Sequence, residues 1–125
     1  MIRGIGIDLV DIDRIGSLLE RFGESFERRI FTREEITACA QRRDRSSCLA
    51  GRFAAKEAFL KALGTGLTGG ITFRDITIVR NRAEPVITVS GKALIKTQEL
   101  GVSRIHLSIS HEKRHAAAVV ILEGD

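Results

Sequence analysis

Two carboxylates and a lysine stand out in the sequence as groups that could act on a phosphate. Asp8 lies inside the apolar segment GIGIDLV, and Glu57 and Lys61 lie four residues apart in LAGRFAAKEAFLKALG. A buried carboxylate needs a partner, hydrogen bonds or a metal ion to offset its desolvation. Mg²⁺ commonly takes one or two protein carboxylates and completes its coordination with water and substrate phosphate. These residues predict magnesium-dependent chemistry on a phosphate, with Asp8 and Glu57 as metal ligands.

The helical spacing of Glu57 and Lys61 leaves two interpretations open. Both side chains border the apolar face of an ideal helix, where Lys61 could supply positive charge to a phosphate. They could equally form an i,i+4 ion pair worth a few tenths of a kcal/mol. Lys56 falls within the apolar arc itself, so it either extends its ammonium group to solvent or faces a ligand.

Three further features could contact phosphates. His111 closes the segment RIHLSIS and could be an acid–base group, a phosphate contact or a turn residue. The segment GTGLTGG offers backbone N–H groups, although it matches neither dinucleotide-binding nor P-loop patterns. Six arginines lie between residues 28 and 45, and such a segment attracts phosphates, nucleic acid or an acidic protein, or forms a solvated helix. Without Trp or Tyr to stack on bases, the sequence signals nucleic acid only weakly.

Apolar periodicity and capping residues predict an α+β fold made of one compact domain, residues 1–125. Helices are expected from Asp11 or Asp13 to Gly23, from a capping box at Thr32, and from Ser46 or Ser47 to Gly64. Strands are expected at residues 2–10, 71–80 and 84–91 and in a closing hairpin of RIHLSIS and HAAAVVILE, preceded by a short helix at KALIKTQELG. We therefore predict helices packed on a mainly antiparallel sheet.

The first predicted strand alternates two kinds of side chain. One face carries Ile5, Ile7 and Leu9, and the other carries Gly4, Gly6 and Asp8. The stretch has the apolar character of a buried strand, and its glycines allow another group to approach the backbone. Asp8 is expected to point away from the large apolar face.

The composition is that of a compact globular protein, with 43% hydrophobic and 29% charged residues, one proline and a formal net charge of +4. No apolar run approaches the roughly 20 residues of a membrane-spanning helix. The first residues lack a signal-peptide pattern, so we expect a cytoplasmic protein with no membrane partner. Cys39 and Cys48 form no metal-binding pattern. They could form one bridge, but nothing in the sequence indicates a secreted disulfide scaffold, so we expect two ordinary buried or half-buried thiols.

The segments GIGIDLVDIDRI, FTREE, LAGRFAAKEAFLKALGTG and ISHE, in that order, resemble the holo-[acyl-carrier-protein] synthases, the small AcpS-type phosphopantetheinyl transferases. The resemblance spans nearly the whole chain. It implies transfer of phosphopantetheine from coenzyme A to a serine of apo acyl carrier protein, with Mg²⁺ as cofactor and release of adenosine bisphosphate. It also implies a phosphopantetheinyl-transferase-like fold, a role in fatty acid biosynthesis, and a homotrimer whose active sites are shared between neighbouring chains.

The resemblance also assigns roles to individual residues. Asp8 and Glu57 match the family's Mg²⁺ ligands, and Lys61 matches a lysine that neutralises or protonates the departing phosphate. The positions near the coenzyme A phosphates or pocket are Arg43, Arg52, Lys61, Gly64 and His111, of which His111 could complete a partner's site. The positions that match the basic surface for the acidic carrier protein are Arg14, Arg21 and Arg29. Nucleic acid is not an expected partner.

The sequence departs from the family pattern at two places. Phe73 stands where the family often has Trp, and Ala83, Glu84 and Pro85 stand where it often has GKP.

The residues taken alone leave two other functions open. One is a non-catalytic basic module that binds RNA or DNA, and the other is a Mg²⁺-dependent phosphoryl transferase that uses a nucleotide.

Overall fold

The computed structural model describes residues 1–125 as five strands and five helices with two short 3₁₀ turns. The strands are β1 (Ile2–Asp11), β2 (Ile76–Asn81), β3 (Glu84–Val89), β4 (Val102–His111) and β5 (His115–Gly124). The helices are α1 (Ile12–Phe22), α2 (Glu24–Ile30), α3 (Arg33–Ala40), α4 (Arg45–Leu63) and α5 (Gly91–Glu99). The 3₁₀ turns are Thr68–Gly70 and Phe73–Asp75. The predicted α+β class is confirmed.

Helix α4 is the central element of the fold. It packs across a three-stranded antiparallel sheet in the order β1-β5-β4, while β2 and β3 form a separate antiparallel hairpin. Helices α1 and α3 and strand β2 cover its other sides, so 12 of its 19 residues are buried. None of the helices is both long and apolar enough to cross a membrane. Because α4 is enclosed on several sides, it can present functional residues in several directions.

Capping residues set the ends of the helices largely as predicted. Asp11 Oδ1 accepts hydrogen bonds from two backbone N–H groups in the first turn of α1, and Gly23 ends this helix with a φ of 55°. Thr32 opens α3 through a capping box with Glu35. Gly64 ends α4 in the left-handed region.

Several boundaries differ from the prediction. Helix α4 does not begin at Ser46 or Ser47, because the Cys48 N–H already donates to the Asp44 carbonyl and starts the helical pattern earlier. Helix α2 was not predicted, since its seven residues include only two buried side chains and give little apolar periodicity. Strand β2 begins at Ile76 because a 3₁₀ turn occupies the three preceding residues.

The face of β1 that carries the large apolar side chains is exposed, although the apolar composition of this strand predicts that it is buried. Three of its large side chains are 63% to 67% exposed: Ile5, Ile7 and Leu9. The glycine face packs against α4 instead, and a Cβ at Gly6 would lie 1.9 Å from the carbonyl oxygen of Ala58. Because Gly6 has no side chain, the backbone of α4 can lie this close to the backbone of β1. Asp8 lies on the glycine face, as predicted, and therefore faces α4.

Lys56 does not extend its ammonium group to solvent, and α4 is buried on several sides as the second interpretation requires, but Lys56 faces Glu35 instead of a ligand. Its fully buried ammonium group pairs with Glu35 Oε1 at 2.7 Å and donates to the carbonyls of Ile30 and Phe73 at 2.8 and 2.9 Å. Glu35 also accepts from the Ile78 N–H at 2.8 Å. Burial lowers the pKa of Lys56, and the charge of Glu35 opposes that shift. This buried pair ties α4 to α3 and β2.

Cys39 and Cys48 form a disulfide bond, which corrects the prediction of two separate thiols. They are nine residues apart in the sequence, at the end of α3 and the start of α4. The reversal between these helices brings their Cα atoms to 5.6 Å, a separation that suits a disulfide. The spacing of the two cysteines in the sequence does not reveal this reversal, because the predicted α4 begins later than the observed one.

Candidate active site

Helix α4 and strand β1 bring Asp8 and Lys61 into direct contact. Lys61 Nζ donates hydrogen bonds to Asp8 Oδ1 and to the backbone carbonyl of Ile7, each at 3.0 Å. The Asp8 side chain is only 15% exposed, whereas that of Lys61 is 54% exposed. Because Lys61 turns toward β1, its ion-pair partner is Asp8 and not Glu57. The i,i+4 interpretation of the pair on α4 is therefore wrong.

Glu57 lines two open cavities and forms part of the wall between them. The first, here named the carboxylate cavity, measures about 270 Å³ and is also lined by Asp8 and Arg14. The second, here named the glycine cavity, measures about 530 Å³ and is also lined by Lys61 and Gly64. Groups reaching Glu57 can thus come from either side.

The electrostatic surroundings of Glu57 are unfavourable for its charge. Burial raises the pKa of its carboxyl, the charge of Asp8 raises this pKa further, and Lys61 lowers it. Both carboxylates line the carboxylate cavity, so their like charges repel each other there. A cation placed near both carboxylates would relieve their repulsion.

Asp8 and Glu57 provide the donors that Mg²⁺ prefers. Both line the carboxylate cavity, and hard carboxylate oxygens suit this ion. No group of three or more His, Cys, Asp or Glu side chains is arranged to hold a metal ion. The protein would therefore supply two ligands and leave the other positions to water and a substrate phosphate, which is common for Mg²⁺.

The glycine-rich segment begins where α4 ends. Gly64 has a φ of 79°, a conformation that favours glycine. A Cβ at Gly64 or Gly66 would meet no atom within 4 Å. This segment therefore leaves open space beside Lys61, where a ligand can lie against the backbone.

Arg52 and His111 lie in a separate cavity of about 30 Å³, here named the arginine cavity. Its other charged lining residues are Arg42, Asp44 and Arg80. Arg52 is buried, and its Nε has no hydrogen-bond partner, while its Nη1 donates to Cys48 Sγ at 3.1 Å. Burial is the main cause of a lowered pKa at Arg52. A buried guanidinium with an unpaired N–H is suited to binding an anion.

The predicted site residues thus form two groups within one chain. Asp8, Glu57, Lys61 and Gly64 surround the carboxylate and glycine cavities, whereas Arg52 and His111 line the arginine cavity. Arg43 is exposed on the turn between α3 and α4 and lines none of these cavities.

Arg80 is a cavity residue that the sequence analysis missed. It lies in β2 two residues after Ile78, and both line the arginine cavity. The two-residue alternation of a strand places them on one face. In β2, two buried isoleucines occupy alternate positions and Arg80 occupies the next one. A charge at that position is the signal that identifies Arg80.

The three arginines predicted to dock a carrier protein lie on α1 and α2. Arg14 lines the carboxylate cavity, and the Arg21 guanidinium lies over the Phe22 ring, 5.2 Å from its centroid. Arg29 borders a groove of about 360 Å³. The apolar side chains of this groove are Leu18, Phe22 and Phe26. The predicted docking face, formed by Arg14, Arg21 and Arg29, therefore combines positive charge with exposed apolar surface beside the carboxylates.

Comparisons with known proteins agree with this architecture. The family model of the 4'-phosphopantetheinyl transferase superfamily matches residues 4–120. A holo-[acyl-carrier-protein] synthase of Halothermothrix orenii is 46% identical over 124 residues, which cover 98% of this chain and 98% of that protein. The crystal structure of holo-[acyl-carrier-protein] synthase from Neisseria meningitidis matches with a TM-score of 0.89 and 44% identity, covering 98% of this chain and 99% of that one. The Helicobacter pylori synthase, solved in complex with coenzyme A, matches with a TM-score of 0.84 and 38% identity, covering 95% and 99%.

The fold and the paired carboxylates define a small α+β transferase with a site suited to phosphate chemistry. The chain belongs to the 4'-phosphopantetheinyl transferase superfamily. The resemblance stated from the sequence motifs is confirmed, and the protein is an enzyme. This membership favours a transferase over a non-catalytic module that binds nucleic acid.

Proposed function

We propose that this enzyme transfers the phosphopantetheine group from coenzyme A to a serine hydroxyl of an apo acyl carrier protein in a Mg²⁺-dependent reaction. The products are holo acyl carrier protein and adenosine bisphosphate. The observation that carries the proposal is the meeting of Asp8, Glu57 and Lys61 at the wall between two cavities. One cavity opens toward the docking face at Arg14, and the other opens toward the glycine-rich end of α4. Two substrates approaching from these sides would meet at the wall.

The residues at the wall would each have a distinct role. Asp8 and Glu57 would hold Mg²⁺ together with the diphosphate of coenzyme A. When bound, this ion would offset the negative charge that develops as the phosphoryl group passes to the serine. Lys61, held in place by Asp8 and the Ile7 carbonyl, would neutralise or protonate the departing phosphate.

The adenosine end of coenzyme A would bind through its phosphates. Arg52 supports this assignment, because its guanidinium lines the arginine cavity and its buried Nε is without a partner. His111 lines the same cavity, and Gly64 offers open backbone beside Lys61. Arg43, exposed on the adjoining turn, would add positive charge from outside the cavity.

The carrier protein would dock on α1 and α2 through Arg14, Arg21 and Arg29. An acidic partner would gain from these charges, and the apolar groove beside Arg29 would hold an apolar side chain of the partner. Arg14 lies both on this face and in the carboxylate cavity, so docking there would bring a serine near Asp8 and Glu57. We also place this activity in the cytoplasm and in fatty acid biosynthesis, where holo carrier proteins carry acyl groups.

A homotrimer with shared active sites would explain two observations. The exposed face of β1 continues onto β5, because Ile5 pairs with Ile121 and Ile7 pairs with Val119. Contiguous exposed apolar surface of this kind marks an interaction site. In addition, the arginine cavity is separate from the carboxylate cavity within one chain, and a neighbouring chain could bring the two together.

The test is intact-mass spectrometry of an apo acyl carrier protein incubated with this enzyme, coenzyme A and Mg²⁺. We expect the carrier to gain one phosphopantetheine. The gain should disappear with EDTA and with the Asp8→Asn variant, since both remove metal binding.

Asp13→Asn is the matched control, because it makes the same change at an exposed carboxylate on α1. It should retain activity. A folded Asp8→Asn variant as active as Asp13→Asn would contradict the metal assignment. No transfer to several carriers by well-folded wild-type protein would contradict the function itself.

A further inference from the structure

The disulfide bond between Cys39 and Cys48 lies directly beside the arginine cavity. Cys48 lines this cavity, and Arg52 Nη1 contacts both its Sγ at 3.1 Å and its carbonyl oxygen at 3.4 Å. The bridge joins the end of α3 to the start of α4 and so closes the turn of residues 41–44. Arg42 and Arg43 project from that turn. The formation or reduction of the Cys39–Cys48 bridge is therefore linked to Arg42, Arg43 and Arg52.

Apart from the bridge, few contacts hold this turn. All four of its residues are exposed. Its contacts are hydrogen bonds from the Arg42 N–H to the Cys39 carbonyl at 3.1 Å and from the Cys48 N–H to the Asp44 carbonyl at 2.9 Å, together with an exposed ion pair of Arg42 Nε with Asp44 Oδ1 at 3.0 Å. Exposed ion pairs contribute little. Breaking the disulfide would consequently leave the turn free to adopt other conformations.

The two sulfur atoms differ in their surroundings. Cys39 is fully buried, whereas Cys48 is half-buried at the edge of the cavity. A small thiol can therefore attack Cys48 Sγ and release Cys39 as the leaving thiolate. In the oxidising direction, Cys48 forms the mixed disulfide first and Cys39 attacks it as the resolving thiol. Cys48 also lies in the first turn of α4 beside the positive charge of Arg52, surroundings that favour thiolate chemistry.

We propose that Cys39 and Cys48 form a reversible redox site that sets the affinity of this chain for the adenosine bisphosphate part of coenzyme A. The proposal rests on the function proposed above. In the oxidising direction, two cysteine thiols react with a small disulfide RSSR. The protein S–S bond forms, the S–S bond of RSSR breaks, and two RSH molecules carry away the protons and both electrons. Reduction by two thiols reverses these steps.

The oxidised form should bind more tightly. A closed turn holds Arg42 in the arginine cavity with Arg52 before the ligand arrives, whereas the reduced turn must be ordered during binding. Disulfides of cytosolic proteins are usually catalytic or redox-sensing rather than structural, which suits a switch at a ligand cavity.

The test compares oxidised and reduced wild-type protein in binding adenosine 3′,5′-bisphosphate by calorimetry. This probe carries no thiol, whereas coenzyme A could itself reduce the bridge. The redox state is set with glutathione mixtures and checked by alkylation and intact mass. We expect the reduced protein to bind about 3- to 10-fold more weakly.

Cys39→Ala is the matched variant, because it removes the bridge and leaves Cys48 in contact with Arg52. It should bind the probe with the weaker affinity under both redox conditions. Equal affinity of the oxidised and reduced wild-type forms would overturn the redox proposal while leaving the proposed function intact. Failure of the bridge to form in an oxidising mixture would also overturn it. Absence of probe binding in both forms would instead count against the coenzyme A site, and the redox proposal would fall with it.

Discussion

Glu57 is the carboxylate of the candidate active site whose pKa is raised, by burial and by the charge of Asp8. A carboxyl group with a raised pKa in the folded state stabilises the fold below its ordinary pKa of 4.5. That contribution is lost as the pH rises through the raised value. At neutral pH and without a metal ion, the ionised Glu57 side chain therefore lowers the stability of the fold. This cost is consistent with a site built to receive a cation.

We expect Glu57→Gln to raise the melting temperature at pH 7 in EDTA, because the amide removes the repulsion with Asp8. The gain should be a few degrees at most, since Glu57 is only partly buried. It should vanish near pH 4, where the wild-type carboxyl becomes protonated. The same variant should lose transferase activity.

Differential scanning calorimetry at both pH values checks this expectation. Glu20→Gln, at an exposed position on α1, is the control and should show no such pH-dependent gain. If Glu57→Gln lowered the melting temperature at pH 7 in EDTA, the electrostatic description of the site would be wrong.

The sequence predicted which residues meet at this site better than it predicted how they meet. Asp8, Glu57 and Lys61 could be selected because each is a charged group in or beside an apolar segment. The partner of Lys61 could not be chosen correctly, because that contact depends on how closely β1 approaches α4. Arg80 could have been found from the alternation of β2, but that alternation does not reveal that β2 packs on α4 and places Arg80 in one cavity with Arg52.

At the scale of elements, the contact between the glycine face of β1 and α4 positions Asp8. We expect Gly6→Ala to destabilise the fold by about 1–3 kcal/mol, because its Cβ would overlap the Ala58 carbonyl oxygen at 1.9 Å. Strand β1 would have to move away from α4, which would separate Asp8 from Lys61. Transferase activity should therefore fall even at temperatures where the variant is fully folded.

Gly16→Ala provides a matched control for this substitution. Its Cβ would meet only the Ser46 side chain, at 3.2 Å from Oγ, which can rotate away. Alanine also favours a helix over glycine by up to about 1 kcal/mol, so stability should be unchanged or slightly raised. Urea unfolding of both variants decides the point, and an equal loss of stability would show that close approach is not the cause.

The buried pair of Lys56 and Glu35 holds α4 against α3 and β2. We expect Lys56→Met to cost about 3–5 kcal/mol, because Glu35 would be left as a buried charge without its partner. Arg28→Ala breaks an exposed pair with Glu24 and should cost less than about 0.5 kcal/mol. Chemical denaturation measures both losses of stability. Similar losses in the two variants would mean that burial does not determine how much these ion pairs contribute to stability.

Element types were predictable because periodicity and capping signals agree along most of the chain. The faces that these elements bury were less predictable. The apolar side of β1 was expected in a core, but glycines allow α4 to cover the opposite side. The disulfide was missed because it depends on the reversal between α3 and α4.

At the scale of the whole molecule, the exposed apolar face formed by β1 and β5 is the expected trimer interface. We expect Ile7→Asp to convert the trimer to monomers, because a charge would be buried at the centre of this face. Ile95→Asp is the control, since Ile95 is 51% exposed on α5, outside the sheet. Sedimentation velocity measures both, and a monomeric wild-type protein would refute the expectation.

Shared active sites have a further measurable signature. Asp8→Asn and His111→Ala should each be inactive or weak alone. If neighbouring chains supply these residues to one site, trimers mixed after dissociation should contain some sites with both residues intact, and activity should return in part. No recovery from verified mixed trimers would indicate that each chain contains a complete site.

The pairing of β1 with β5 also has a consequence for biosynthesis. Strand β1, which carries Asp8, is synthesised well before its partner strand β5, which follows all the other helices and strands. At roughly 5–20 residues per second, this interval is on the order of ten seconds. During it, an unpaired strand with large apolar side chains is open to wrong pairing. The nascent chain thus carries Asp8 long before it can complete the sheet around that residue, because translation must first pass β5.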